Sequence, residues 1–132
     1  MFTSPSYRIY VHDTDVAGVV HHSNYLKYFE AGRIEFLRSL HVPYIDLQKE
    51  GIGLVPISIN IRYIKPLRED DLFHVTLLPT QIKKASVKFD QQIVKDATVC
   101  VEATIQLACV KEPEFKPIRI PHSLFEVLSS AH

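Results

Sequence analysis

Between residues 12 and 25 the chain gathers the side chains best suited to move a proton or hold a ligand: His12, Asp13, Asp15, His21, His22 and Asn24. Four chemistries compete for this segment. Asp13-Thr14-Asp15-Val16-Ala17-Gly18 opens like a calcium loop, with carboxylates first and third and a glycine sixth. The fifth position is Ala17, and the twelfth is Asn24 where a bidentate glutamate belongs, so calcium is rejected. A transition-metal site built from His12, Asp15, His21 and His22 fares little better. Neighbouring histidines on a helix splay by about 100°, and the chain has neither an H-E-x-x-H pattern nor a clustered cysteine pair. No metal is expected.

The third possibility is structural. Aspartate and histidine near a helix start commonly satisfy backbone donors, and Asp13 suits that role. Local sequence alone favours the same for Asp15. The fourth is acyl transfer without a serine or cysteine nucleophile. A G-x-S-x-G elbow is absent, and Cys100 and Cys109 lie in a strand pattern with no adjacent histidine. What remains is a carboxylate in a loop that runs into a helix N-terminus. Free backbone N–H groups and the positive end of the helix dipole lie there. That end can polarise a thioester carbonyl and stabilise an oxyanion. A carboxylate beside it can activate water or attack directly. Gly18 lets backbone approach a ligand closely.

These residues need elements to hold them. Residues 7–12 are rich in Tyr, Ile and Val and predict a short strand. Residues 23–40 contain no proline and predict a helix, with Leu26, Phe29, Gly32, Phe36 and Leu40 near helical period. Its apolar residues occupy much of the circumference, which predicts burial on several sides. Ser23 or Asn24 is the expected N-cap, and Pro43 helps to stop the helix. A short helical piece, residues 44–51, ends at Gly51.

The period then changes to two. Val55, Ile57, Ile59, Ile61 and Tyr63 alternate with polar residues, as do Phe73, Val75 and Leu77. Val87, Phe89, Gln91 and Ile93 form a third alternation, and Val99, Val101, Ala103, Ile105 and Leu107 a fourth. Turns such as PLREDD and KDAT are too short for parallel crossovers, so an antiparallel meander is expected. A final short helix falls at 122–129. Such a sheet leaves a broad apolar face, and helix 23–40 is the one long element available to cover it. The expected fold is α+β, an antiparallel sheet wrapped around one long central helix, as a single domain over 1–132.

The whole-chain composition agrees with a globular domain. Of 132 residues, 46% are hydrophobic and 23% charged, which excludes disorder. Lys+Arg and Asp+Glu are both 15, so the basic field of a nucleic-acid binder is missing. Two cysteines nine positions apart fall on opposite faces of one strand, which suits unpaired thiols and a reducing cytoplasm. The N-terminus has no signal-peptide h-region, and no apolar run approaches the ~20 residues of a membrane span. A cytoplasmic location is expected.

The stretch DTDVAGVVHHSNYLKYFEAGR, residues 13–33, resembles the signature of the 4-hydroxybenzoyl-CoA thioesterase branch of the hotdog superfamily. It is most similar to the bacterial YbgC-like acyl-CoA thioesterases, with the pattern D-T-D-x-x-G-V-V-Y-H-x-x-Y-L-x-F-F-E-R-A-R. The segment VPISINIRYIKPLREDD, residues 55–71, fits the same family. The resemblance implies the hotdog fold and hydrolysis of acyl-CoA with no cofactor. It implies that Asp15 is the catalytic carboxylate, with Gly18 beside it, and that the backbone N–H near His22 binds the thioester oxygen. His21 departs from the family's tyrosine, and Ala31-Gly32 depart from Arg-Ala.

Lys83, Lys84 and Ser86 lie at a turn between strands, and from sequence alone a solvated turn is the plainer account. In related thioesterases basic residues here contact the CoA phosphates, so the resemblance assigns Lys83 and Lys84, and less directly Ser86, to substrate binding. An acyl carrier protein is a second candidate partner. A homodimer or homotetramer is expected, because one sheet around one helix leaves edges and an outer face to cover. Two alternatives stand beside the thioesterase: a dehydratase on the same fold, and a non-catalytic acyl-carrier-binding protein. The D-T-D loop counts against the first, and Asp15 together with Gly18 against the second.

Overall fold

A computed structural model describes residues 1–131. Two short strands, β1 (Phe2–Thr3) and β2 (Tyr7–Arg8), lead through a 3-10 turn at Val11–Asp13 to the helices α1 (Asn24–Ser39) and α2 (Tyr44–Lys49). Four long strands follow: β3 (Ile52–Tyr63), β4 (Leu72–Ile82), β5 (Ser86–Lys95) and β6 (Thr98–Lys111). The chain ends in β7 (Lys116–Pro117) and α3 (His122–Ser130). Every pairing is antiparallel, and the sheet order is β1-β4-β5-β6-β3, with β2 also on β4 and β7 on β6. This is the hotdog arrangement, with α1 lying on the sheet.

The helix meets the sheet along one stripe. Tyr25, Phe29, Gly32, Phe36 and Leu37 are buried, while Leu26 remains exposed. Burial on several sides therefore does not occur within one chain. Phe29 packs into a core with Phe36, Val75, Leu77, Phe89 and Ile105. Each fully buried side chain of this size contributes about 1.5–3 kcal/mol. Gly32 sets the closeness of approach: a Cβ there would lie 2.6 Å from Val75 Cγ1. Beside it, buried Gln91 donates from Nε2 to the Phe29 carbonyl at 3.0 Å and accepts from Arg33 Nη1 at 3.2 Å. The polar residue in the third alternation thus ties sheet to helix.

Four expectations need correction. The strand expected at 7–12 ends at Arg8, because the Asp13 carboxylate accepts the Tyr10 N–H and bends the chain into the 3-10 turn. The PLREDD segment is not a hairpin turn. β3 pairs with β6, so residues 64–71 cross the end of the sheet from one edge to the other. The apolar row on β3 lies on the same sheet face as core Ile105, opposite Ile59, but α1 packs on β4 and β5 and leaves much of the row uncovered. Ile57 is 58% exposed and Ile59 42%, on a strand irregular between Pro56 and Ser58. Finally, Ser23 takes the expected N-cap position of α1, but its side chain makes no capping bond. Cys100 and Cys109 are free and buried, and burial pushes both thiols up. Among the described residues no helix is long and apolar enough to cross a membrane.

Candidate active site

The loop between the 3-10 turn and α1 is a miniature hairpin. Thr14 bridges to Val20, and the Asp15 N–H donates to the Val19 carbonyl at 2.8 Å. Its tip is Asp15-Val16-Ala17-Gly18. The Asp15 Oδ1 accepts the Ala17 N–H at 2.8 Å, and the Asp15 carbonyl accepts the Gly18 N–H at 3.0 Å. Gly18 sits at φ +78°, a backbone region that glycine enters without strain. One carboxylate oxygen of Asp15 is thus held by its own turn, and the residue remains exposed to solvent.

The crossover clamps this hairpin in place. The Val20 N–H donates to the Leu67 carbonyl at 2.8 Å, Val19 bridges to Arg68, and the Leu67 N–H donates to the buried Tyr25 hydroxyl at 3.1 Å. Leu67 itself is fully buried. The crossover is in turn pinned by Asp71, which accepts the Arg68 N–H and the Lys95 ammonium, each at 2.8 Å. Partial burial pushes the Asp71 carboxyl up, but Lys95 and the Arg68 N–H outweigh it and hold it below the ordinary carboxylate value. Asp13 has the structural role expected of it. Its carbonyl accepts the His21 N–H and Asn24 Nδ2, joining hairpin to helix.

His21 and His22 precede the first turn of α1, so the splay of helical neighbours does not apply to them. Their rings stack at 4.3 Å and 27°. Tyr63, at the end of β3, lies edge-on to the His22 ring and donates its hydroxyl to the His22 carbonyl at 3.4 Å. The His22 N–H makes no hydrogen bond to the described residues. Tyr28, one turn into α1, buries a hydroxyl with no partner among the described residues. Burial, and then the nearby Asp13 carboxylate, push its phenol far above the usual range and keep it neutral.

The structure therefore brings Asp15, Gly18 and His22 into one clamped loop. Lys83, Lys84 and Ser86 lie elsewhere. The Lys83 N–H donates to the Ser86 carbonyl at 2.8 Å to close the β4–β5 turn, and both lysines are exposed. Lys84 borders a surface cavity of about 550 Å³ with Arg119, His122 and Phe125. The clamped loop is at the Leu72 end of β4 and the lysine turn at its Ile82 end. Eleven residues of strand separate them by on the order of 30 Å. Tyr25, Tyr63 and Leu67 were not singled out from the sequence. Leu67 was hidden in what read as a turn, while Tyr25 and Tyr63 read only as helix and strand positions.

Comparisons with known proteins agree with this fold. A family model described as "Thioesterase-like superfamily" matches residues 9–128. The acyl-CoA thioesterase YbgC of Haemophilus influenzae is 33% identical over 115 residues, 86% of this chain and 85% of that protein. A crystal structure of a hypothetical protein from Aquifex aeolicus superposes with a TM-score of 0.91 at 34% identity, over 97% of this chain and 99% of that one. The DHNA-CoA thioesterase of Staphylococcus aureus gives 0.92 at 25% identity, over 98% and 91%.

Proposed function

We propose, from the premise that the chain belongs to the thioesterase-like superfamily, that it is an acyl-CoA thioester hydrolase worked by Asp15. The observation that carries this reading is the clamped loop. It holds an exposed carboxylate on a turn fixed to the start of α1, in a loop that also carries the His22 N–H, which no group among the described residues takes. The thioester oxygen accepts from the His22 N–H, where the helix dipole stabilises negative charge. Asp15 then takes the proton of a water whose oxygen attacks the carbonyl carbon. The C–S bond breaks, and the departing thiolate is protonated to free CoA. In the second route the Asp15 oxygen attacks first, and water cleaves the resulting anhydride. Both leave the free acid and CoA.

Lys83 and Lys84 supply positive charge for the CoA phosphates, with Ser86 in the same turn. Their distance from Asp15 within one chain is farther than a pantetheine arm reaches. The site is therefore shared between two copies, a carboxylate from one and lysines from the other. The uncovered apolar row on β3, with Ile57 and Ile59 exposed on an edge strand, gives a second copy a surface to bury. A homodimer is the working unit, and two dimers make a tetramer. An acyl carrier protein presents the same thioester and is a second substrate form.

The test is release of free thiol from a panel of short, long and aromatic acyl-CoAs and one acyl carrier protein, with Asp15→Asn as the blank. Turnover of at least one thioester by the wild type, absent from the blank, is expected. No turnover of any would remove the hydrolase reading. A monomeric mass by light scattering, with full activity, would remove the shared site.

A further inference from the structure

The Asp15 loop stands at one end of α1 and of β3, and a cavity stands at the other end of both. Tyr63 meets His22 at the loop end, while Leu54 and Val55 reach the cavity. On the helix, Ile34 and Leu37 line it, and Phe89 and Leu107 complete an apolar floor. Its volume is about 290 Å³. Both elements therefore lead from the loop to the cavity. Leu26 on the helix and Ile59 on the strand are apolar and exposed along that course.

Arg33 stands half-buried in the wall of this cavity. Its Nη1 donates to Gln91 Oε1 at 3.2 Å. A guanidinium carries five N–H groups. No other one of Arg33 is bonded, and no carboxylate pairs with it, among the described residues. Burial pulls its guanidinium below the ordinary value, although the Glu30 charge partly offsets this. Glu30 also lines the cavity, but it is exposed, and its charge is screened by water and salt. The Tyr44 hydroxyl in the same wall accepts the Leu54 N–H at 3.1 Å. A cation drawn out of water is stabilised only when a partner replaces that water.

An apolar hollow with a few convergent polar groups is the usual form of a small-molecule site. A guanidinium only donates, and its planar fork matches a carboxylate. We infer that the cavity receives the far end of the acyl chain and that Arg33 selects chains ending in a carboxylate, so that the preferred substrate is an ω-carboxyacyl-CoA. This rests on the hydrolase reading above. The acyl end stays on the chain that carries Asp15, while the nucleotide end crosses to the lysines of the second copy.

The geometry also sets a length. Gln91, which holds Arg33, donates to the Phe29 carbonyl and lies in register with Ala103 and, through it, Ile61. Phe29 is seven positions beyond His22, so the guanidinium is on the order of 10 Å from the His22 N–H. An extended chain advances about 1.2 Å per bond, which corresponds to an acyl group of about eight carbons.

The experiment compares kcat/KM for ω-carboxyacyl-CoAs of about six, eight and ten carbons with their unsubstituted counterparts, in the wild type and in Arg33→Met. Methionine keeps an unbranched apolar stem and removes the charge. The wild type should favour the ω-carboxyl chain of about eight carbons by about tenfold to a hundredfold, the worth of a hydrogen bond to a charged group. In Arg33→Met that ratio should fall to about one. A wild type that treats the two chains alike, or prefers the unsubstituted one, overturns the inference even where the variant folds poorly. A preference that survives in Arg33→Met overturns it as well. So does an Arg33→Met that sediments as a monomer beside a dimeric wild type, because Arg33 then pairs with an acid of the second copy. Binding of octanedioate and octanoate, measured by calorimetry, needs no turnover. If no acyl-CoA is hydrolysed, the hydrolase reading fails, yet tighter binding of octanedioate that is lost in Arg33→Met upholds the cavity's role, and equal binding of the two removes it.

Discussion

Two short turns of this molecule are given parts in one reaction, and they are built in opposite ways. The 13–22 hairpin is tied to two elements: to α1 through Asn24 and the Asp13 carbonyl, and to the crossover through Val20 and Leu67, which Tyr25 in turn fastens to α1. The 83–86 turn closes on its own backbone through Lys83 and Ser86, and its lysine side chains reach into solvent. The contrast suits the parts proposed for each. Moving a proton or forming a bond tolerates little displacement. Attracting a phosphate needs charge nearby and little else. Rigid chemistry and loose binding should therefore respond to mutation in different currencies, rate for the first and affinity for the second.

The strongest way to break the comparison is at Asp15. Asp15→Asn is nearly isosteric and should lower kcat by about 10²–10⁴ while leaving the melting temperature almost unchanged. Asp13→Asn should do the reverse, because Asp13 holds the Tyr10 N–H that shapes the turn. If Asp15→Asn retains more than about a tenth of wild-type kcat, Asp15 is not the catalytic carboxylate.

Next in size is Tyr25→Phe. It removes the acceptor of the buried Leu67 N–H and leaves that donor unsatisfied, at a cost of about 1–3 kcal/mol. Both thermal stability and kcat should fall, since the clamp and the site share the bond. A kcat unaffected by the loss would separate the clamp from catalysis.

Lys83→Ala with Lys84→Ala tests the loose turn. Exposed charge contacts are worth about 0.2–1 kcal/mol each, so loss of both should raise KM for acyl-CoA between about twofold and thirtyfold with kcat steady. The deficit should shrink as salt rises. An unchanged KM at low salt removes the phosphate assignment.

The smallest effect sharpens the clamp from its far end. The Asp71 carboxyl is held below its ordinary value, so its contribution is present above the unfolded value of about 3.9 and is lost as pH falls through the lower folded one. Asp71→Asn should therefore melt slightly lower than wild type near neutrality, and the two curves should converge in acid. Curves that diverge on acidification would contradict the Lys95 pairing.

Much of the fold was legible because period-two alternation over β4, β5 and β6 reports burial directly: Val87, Phe89, Gln91 and Ile93 do face the helix. The partner of β3 was not legible. Its apolar residues alternate as well as any, but a connection of eight residues satisfies either a hairpin or a crossing, and only the sheet as a whole decides between them. The same row fails to report burial within the chain, because α1 covers β4 and β5 instead. The first strand was lost to a local competitor, the Asp13 carboxylate, which offers the Tyr10 N–H an alternative to strand pairing. In the candidate site, the loop and its residue types stand out in the sequence. The clamp does not, since Tyr25 and Leu67 meet only through the crossover, forty-two positions apart.

That separation has a consequence during synthesis. β3 leaves the ribosome long before β6, the strand it pairs with along its whole length from Ile52 to Tyr63. Until β6 is made, the residues that follow β3 have no fixed edge to leave from, and Leu67 has no fixed place beside Tyr25. Contacts of such high contact order form late. A nascent chain therefore carries the Asp15 loop complete in sequence but unassembled in space, and the clamp closes on it only once nearly the whole domain has emerged.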